Sequence, residues 1–351
     1  MPLSRFARLL TRAASETTPG LFTLVMSTGI VSLACQATGM GRLAIALYAL
    51  NAFSYVLLLA LTLLGIGRAP LHFFRSLMDS RSVYRLLPLV AATSVLGMQT
   101  LLQGGGTPLA TLLWGVALGL WLVLIYVLFF ALMIGPQKAS FEHLHGGWLM
   151  AVVATQSVSI LGSNLAPRLD LPSGGMLIPL SLFLFGCVLY LLLIPWILQS
   201  LLFYRVTADA LTPLNWINMG ACAITVLAGS SLLADLALWP LLAQLGHFLL
   251  GISLLFWVLA TWWIPLLIML GIWRHGVRRF PLAYDPSYWG LVFPLGMYSL
   301  STLRLGESSG IGLMSQIPQF TIIAALLAWS VTMTGALRYL YRETSEALRA
   351  Q

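Results

Sequence analysis

The sequence predicts an all-α membrane protein with ten transmembrane helices, and three observations carry that prediction. Of 351 residues, 59% are hydrophobic and only 8% are charged, too few charges to cover the surface of a soluble domain. Apolar runs of spanning length recur ten times, and no connecting segment is long enough for a soluble domain. The basic residues alternate between connections: 15 of the 18 fall on one side of the resulting topology, and only Arg42, Arg168 and Arg304 on the other. By the positive-inside rule this split puts both termini in the cytoplasm and requires an even number of spans. It also accounts for the net charge of +8 without a nucleic-acid partner.

The runs cover residues 21–37, 43–66, 83–103, 109–134, 148–166, 176–200, 214–233, 239–273, 288–306 and 318–341. They divide the chain into a cytoplasmic segment 1–18, a membrane domain 19–341 and a cytoplasmic tail 342–351. The first run follows Arg5, Arg8 and Arg12, as a signal peptide would, and Ser32 to Cys35 brushes against a lipoprotein cleavage signal. Ser32 stands where that signal wants leucine, so an uncleaved first helix is expected. The eighth run is too long for one crossing and must tilt, bend near Pro265 or protrude.

The ninth run is the most irregular. It opens on Asp285-Pro286 and the interfacial aromatics Tyr288 and Trp289, then is broken by Phe293-Pro294 and Gly296. A proline there removes one backbone hydrogen bond and pushes on the preceding turn. Lipid cannot repair the freed carbonyl, so this helix is expected inside a bundle, lining a path, with Phe293 at the bend.

Odd and even runs differ in composition. Gly, Ala, Ser, Thr and Cys make up 37 of 96 residues in the odd runs and 34 of 134 in the even runs. Small residues let backbones approach and hydroxyls face water or an ion, whereas Leu- and Trp-rich helices suit a ring against lipid. The odd runs also share a pattern. Phe22-TLVMSTG, Trp148-LMAVVAT, Trp216-INMGACA and Trp289-GLVFPLG each start on an aromatic and reach small or kinking residues within two turns. The third run lacks the aromatic but has Pro88 near the same depth. Repeated units of this kind suggest five helical hairpins around a common axis.

Three pieces carry a resemblance: Met26-Ser27-Thr28-Gly29, Pro213-Leu-Asn-Trp216-Ile-Asn-Met-Gly220-Ala, and Trp289-x3-Phe293-Pro294-Leu-Gly296. The chain resembles the tellurite-resistance and dicarboxylate transporter family, which includes plant guard-cell slow anion channels and yeast malate and sulfite transporters. The likeness extends over about residues 19–341. It implies quasi-fivefold symmetry, odd helices around a central pore, even helices outside, and a homotrimer in the inner membrane. It also implies that Phe293, matching a phenylalanine of the family's ninth helix, plugs the pore. The fifth run departs from the pattern, with Ala151 to Ala154 where relatives often carry a proline.

The expected function is anion transport through this pore, with Pro294, Gly296, Pro88 and Gly29 as kinks. Ser27, Thr28, Thr93, Thr155, Ser157, Thr225 and Ser299 are candidate lining, although each taken singly reads better as a packing hydroxyl than as a ligand. No acidic residue lies well inside an odd run, which disfavours a cation path. Arg304 is a candidate pore-mouth charge, or alternatively a partner for Glu307 at helical spacing. The alternative function is a secondary transporter of C4-dicarboxylates or oxyanions such as tellurite or sulfite, with protons. Proton coupling normally uses an intramembrane carboxylate or histidine, and the odd runs hold none.

An enzyme is disfavoured, since no catalytic constellation stands at membrane depth. No cofactor or metal is expected. Cys35, Cys187 and Cys222 form no C-x-x-C pair. Glu142-His143-Leu144-His145 is a poor ligand set and reads as surface or interface. His247 reads as an interhelical contact, and Trp262 and Trp263 as an aromatic belt or packing surface. The expected partners are small inorganic or organic anions, the bilayer and further copies of the chain.

Overall fold

A computed structural model describes residues 18–71, 83–134, 144–169 and 173–349. Among these residues the secondary structure is helical, with no strand. The long helices are α1 (Thr18–Ala37), α2 (Gly41–Arg68), α3 (Leu87–Gln103), α4 (Thr107–Ile134), α5 (Met150–Leu165), α6 (Leu177–Phe203), α7 (Ile217–Ala234), α8 (Gly246–Ile272), α9 (Trp289–Ser309) and α10 (Ile317–Arg349). Nine helical segments among the described residues are long and apolar enough to cross a membrane. The chain is a multi-pass integral membrane protein. Helix α9 is outside those nine. Its 21 residues give it a length of about 30 Å, but Arg304, Glu307 and its glycines and serines make it the more polar helix.

Burial separates the helices into two kinds. In the membrane windows of α1, α3, α5 and α7, 72% to 94% of residues are buried, against 22% to 44% for the even-numbered helices. Packing order agrees with burial. Helix α1 packs on α3, α3 on α5, α5 on α7, α7 on α9, and α9 returns to α1. Each even helix lies against the odd helix before it and also touches the next odd helix.

Local sequence explains how the inner helices begin and end. Turns of 3-10 helix, Val83–Leu86, Gly146–Leu149, Pro213–Trp216 and Pro286–Tyr288, lead into α3, α5, α7 and α9. Pro213 and Pro286 open the last two, where the missing N–H would have had no helical partner anyway. The Asp285 carboxylate accepts a 2.8 Å bond from the Ser287 N–H and so caps the turn before α9. Helices α3 and α9 end on Gly104 and Gly310, both at positive φ.

Pro88 needs correction, and three other runs gain detail. Pro88 lies in the first turn of α3, where it starts the helix and does not bend it. The eighth run, too long for one crossing as expected, is divided at Leu245 and not at Pro265: a short helix, Pro240–Gln244, precedes α8, and α8 runs on through Pro265 into a π-turn, Trp273–Val277. Helix α5 passes through Ala151 and Ala154 without interruption, and α10 continues past residue 341 to Arg349.

Candidate functional site

The C-terminal halves of the inner helices enclose a cavity of about 490 Å³, and every residue lining it belongs to α1, α3, α5, α7 or α9. The deepest lining residue on each is Ile30, Ser94, Ser157, Ile224 and Met297, respectively. Four residues earlier, one turn or about 6 Å further in, stand Met26, Val90, Val153, Gly220 and Phe293. All five are buried, and Phe293 has no accessible surface. Phe293 is the largest side chain of this layer and Gly220 has none.

The missing side chain at Gly220 has a reason. A Cβ placed there would come within 2.7 Å of Pro294 Cγ, so α7 gives the Pro294 ring its seat. On the opposite side, a Cβ at Gly296 would lie 3.1 Å from both Ile30 and Val31 of α1. Ser27 donates a 2.7 Å hydrogen bond to the Trp289 carbonyl, fixing the first turn of α9 to α1. Pro294 cannot donate to the Gly290 carbonyl. The segment carrying Phe293 is therefore held by its neighbours on α1 and α7 while its own helical ladder lacks a rung.

The hydroxyls expected at the pore divide into two groups. Ser157 lines the cavity. Thr28, Thr93 and Thr155 face outer helices, bonded by Trp329 Nε1 at 3.0 Å, Tyr55 OH at 2.9 Å and Trp121 Nε1 at 2.8 Å. Thr225 accepts from Gln156 Nε2 at 3.3 Å, and Ser299 donates to the Pro318 carbonyl at 3.3 Å. None of these, nor Ser27, is among the lining residues. The pattern recurs at the remaining seams. Trp257 Nε1 donates to Thr302 at 3.0 Å, and the Tyr190 hydroxyl to the Asn218 carbonyl at 3.5 Å. Each inner helix is thus bonded by an indole or phenol from the outer helix before it, α10 serving α1. Gly29 belongs to such packing too, since a Cβ there would press on Val95 and the Asn51 amide.

The sequence reading missed Ser94, Gln36, Asn164, Ser230, Ser231 and Ser308, which supply most of the cavity's polar lining. Ser94 is fully buried, and its hydroxyl has no hydrogen-bond partner among the described residues. The signal was helical register: Ser94 sits next to Thr93, about 100° round the helix. The charged lining residues are Arg304 and Glu307, ion-paired at 2.9 Å and each about half exposed. At the start of α5, His145 Nδ1 accepts from the Gly147 N–H at 3.0 Å, and its ring stands edge-on to Tyr84. Burial, aided by the Arg85 charge, lowers its pKa to about 4. Glu142 and His143 lie outside the described residues. Among the described residues no three His, Cys, Asp or Glu side chains gather to hold a metal. His247 lies on an exposed face, Trp262 is exposed, and buried Trp263 bonds Tyr190.

The sequence profile of the SLAC1 family, described as voltage-dependent anion channel, matches residues 16–337. The chain belongs to the SLAC1 family. It is also 38% identical over 144 residues to an uncharacterised membrane protein of Mycobacterium tuberculosis, covering 41% of this chain and 73% of that one. With an uncharacterised transporter of Methanocaldococcus jannaschii it shares 24% identity over 258 residues, covering 72% of this chain and 73% of the relative. The SLAC1 match spans all ten long helices up to residue 337, including every residue that lines the cavity.

Proposed function

We propose that this SLAC1-family chain passes anions along the axis of its inner helices and that the Phe293 ring closes the path. The observation that carries the reading is the cavity: all five inner helices and no outer helix line it, and it stops one turn short of the layer that holds Phe293. A buried apolar layer excludes ions by dewetting. The rung missing between Pro294 and Gly290, with Gly296 beyond it, leaves the backbone around Phe293 freer to move than an intact helix. The cavity offers serine hydroxyls, the amides of Gln36 and Asn164, and an arginine whose charge is matched by Glu307. Such a lining suits a weakly hydrated anion.

The same proposal comprises ten crossings as five hairpins, both termini in the cytoplasm, the inner membrane, and a homotrimer. The cavity then opens toward the outer face. Its test is anion flux into proteoliposomes. Rapid nitrate or chloride flux in Phe293→Ala over a nearly silent wild type supports a plugged pore. Proton-dependent malate uptake by wild type, with no halide or nitrate flux in either protein, would replace it with a carrier.

A further inference from the structure

A second anion site stands away from the cavity, where α8 ends. The chain there folds back on itself. Helix α8 passes into the π-turn Trp273–Val277, the Phe280 N–H bonds the Arg274 carbonyl at 3.0 Å, and Arg279 adopts φ 52°. A non-glycine residue at positive φ is strained and persists only where its surroundings hold it there. The result of the fold-back is that the Phe280 ring lies 4.3 Å from the Arg274 guanidinium carbon, while Arg278 covers Trp273 at 5.0 Å.

Arg274 is only 8% exposed, and its Nε has no hydrogen-bond partner among the described residues. No carboxylate among them forms an ion pair with it, the Arg304–Glu307 pair being elsewhere. Asp209 feels its charge weakly. That exposed carboxyl is held below its usual range first by the Thr207 hydroxyl and last by Arg274. Ring stacking stabilises a guanidinium, but it does not satisfy an N–H. An oxyanion would satisfy the open N–H and the charge together, and the planar fork of arginine fits phosphate in particular.

The surroundings favour a lipid as its source. Arg278 and Arg279 are exposed beside it, and Ile272, Val277 and Leu282 on the same segment are 61%, 67% and 79% exposed. Apolar side chains interleaved with arginines suit the headgroup layer of a bilayer with anionic lipid. We propose that Arg274 binds the phosphate of an anionic phospholipid headgroup, with Arg278 and Arg279 raising the local potential.

The test is the melting temperature of the full chain in detergent, with short-chain phosphatidylglycerol, phosphatidylcholine or inorganic phosphate added, for wild type, Arg274→Gln and, as a control at an exposed arginine away from both sites, Arg42→Gln. The expected result is a saturable rise of several degrees with phosphatidylglycerol in wild type and Arg42→Gln, absent in Arg274→Gln. A rise with inorganic phosphate alone, again lost in Arg274→Gln, upholds the phosphate site and makes its source soluble. An equal rise in Arg274→Gln, or none in wild type, overturns the proposal. Should Arg274→Gln fail to fold, native mass spectrometry of wild type decides: no preferential retention of phosphatidylglycerol over phosphatidylcholine contradicts it.

Discussion

Pro294 of α9 rests on Gly220 of α7 so closely that a single added carbon at Gly220 would come within 2.7 Å of the ring. Both atoms belong to stiff parts of the chain, so neither can turn aside. Gly220→Ala must displace α7 or α9 by a few tenths of an ångström or more. Overpacking of this kind typically costs about 1–3 kcal/mol. The expected outcome is a lower melting temperature together with altered anion flux. An alanine variant that melts and conducts like wild type would show that the seat is not tight.

The hydroxyl seams give a prediction of opposite character. Thr155→Val removes the partner of the Trp121 indole, a loss of roughly 1 kcal/mol for a hydrogen bond, and leaves the cavity lining intact. Thermal melting should fall slightly with anion selectivity unchanged. Ser157→Ala, two residues on and inside the cavity, should change relative permeability for nitrate and chloride. If the two variants exchange these behaviours, the orientation assigned to α5 is wrong.

Arg304 and Glu307 neutralise each other beside the cavity. Glu307→Gln leaves the arginine unopposed and should raise anion uptake several-fold at low ionic strength, with Arg304→Gln lowering it. Both effects should shrink as salt shortens the Debye length from about 30 Å at 0.01 M to about 6 Å at 0.3 M. Flux measured in 10 mM and 300 mM salt checks this, and an effect indifferent to salt would contradict an electrostatic role.

Much of this arrangement was legible in the sequence because proline and glycine act locally. Phe293-Pro294 and Gly296 inside an apolar run announce a weakened helix wherever they occur. The direction of a hydroxyl is not local. Thr93 and Ser94 are adjacent and chemically alike, yet one bonds Tyr55 and the other lines the cavity, and only the packing of α2 against α3 decides which. Pro88 was misread for a related reason. A proline bends a helix or begins it according to where the first turn falls, and the preceding 3-10 turn, Val83–Leu86, moved that point onto Pro88. The break at Leu245 falls among Gln244, Gly246 and His247 inside a run read by its length, so the local mark was there but was passed over.

His145 predicts an acid-sensitive fold. Its folded-state value, about 4, is below its ordinary value near 6.5. Between these values the unfolded chain binds a proton that the folded chain does not, so stability falls as pH drops from about 6.5 to about 4 and levels off below. The full effect is on the order of 3 kcal/mol. Thermal melts across that range should show a shallower decline in His145→Asn than in wild type, and parallel curves would contradict the assignment.

The central claim is that Phe293 closes a path along the inner helices, and anion flux into proteoliposomes of Phe293→Ala tests it most directly. Nitrate and chloride flux should stand well above wild type, because a smaller side chain lets the constriction wet, with a fold stable enough to purify. A well-folded Phe293→Ala protein that stays as silent as wild type to both anions would contradict it.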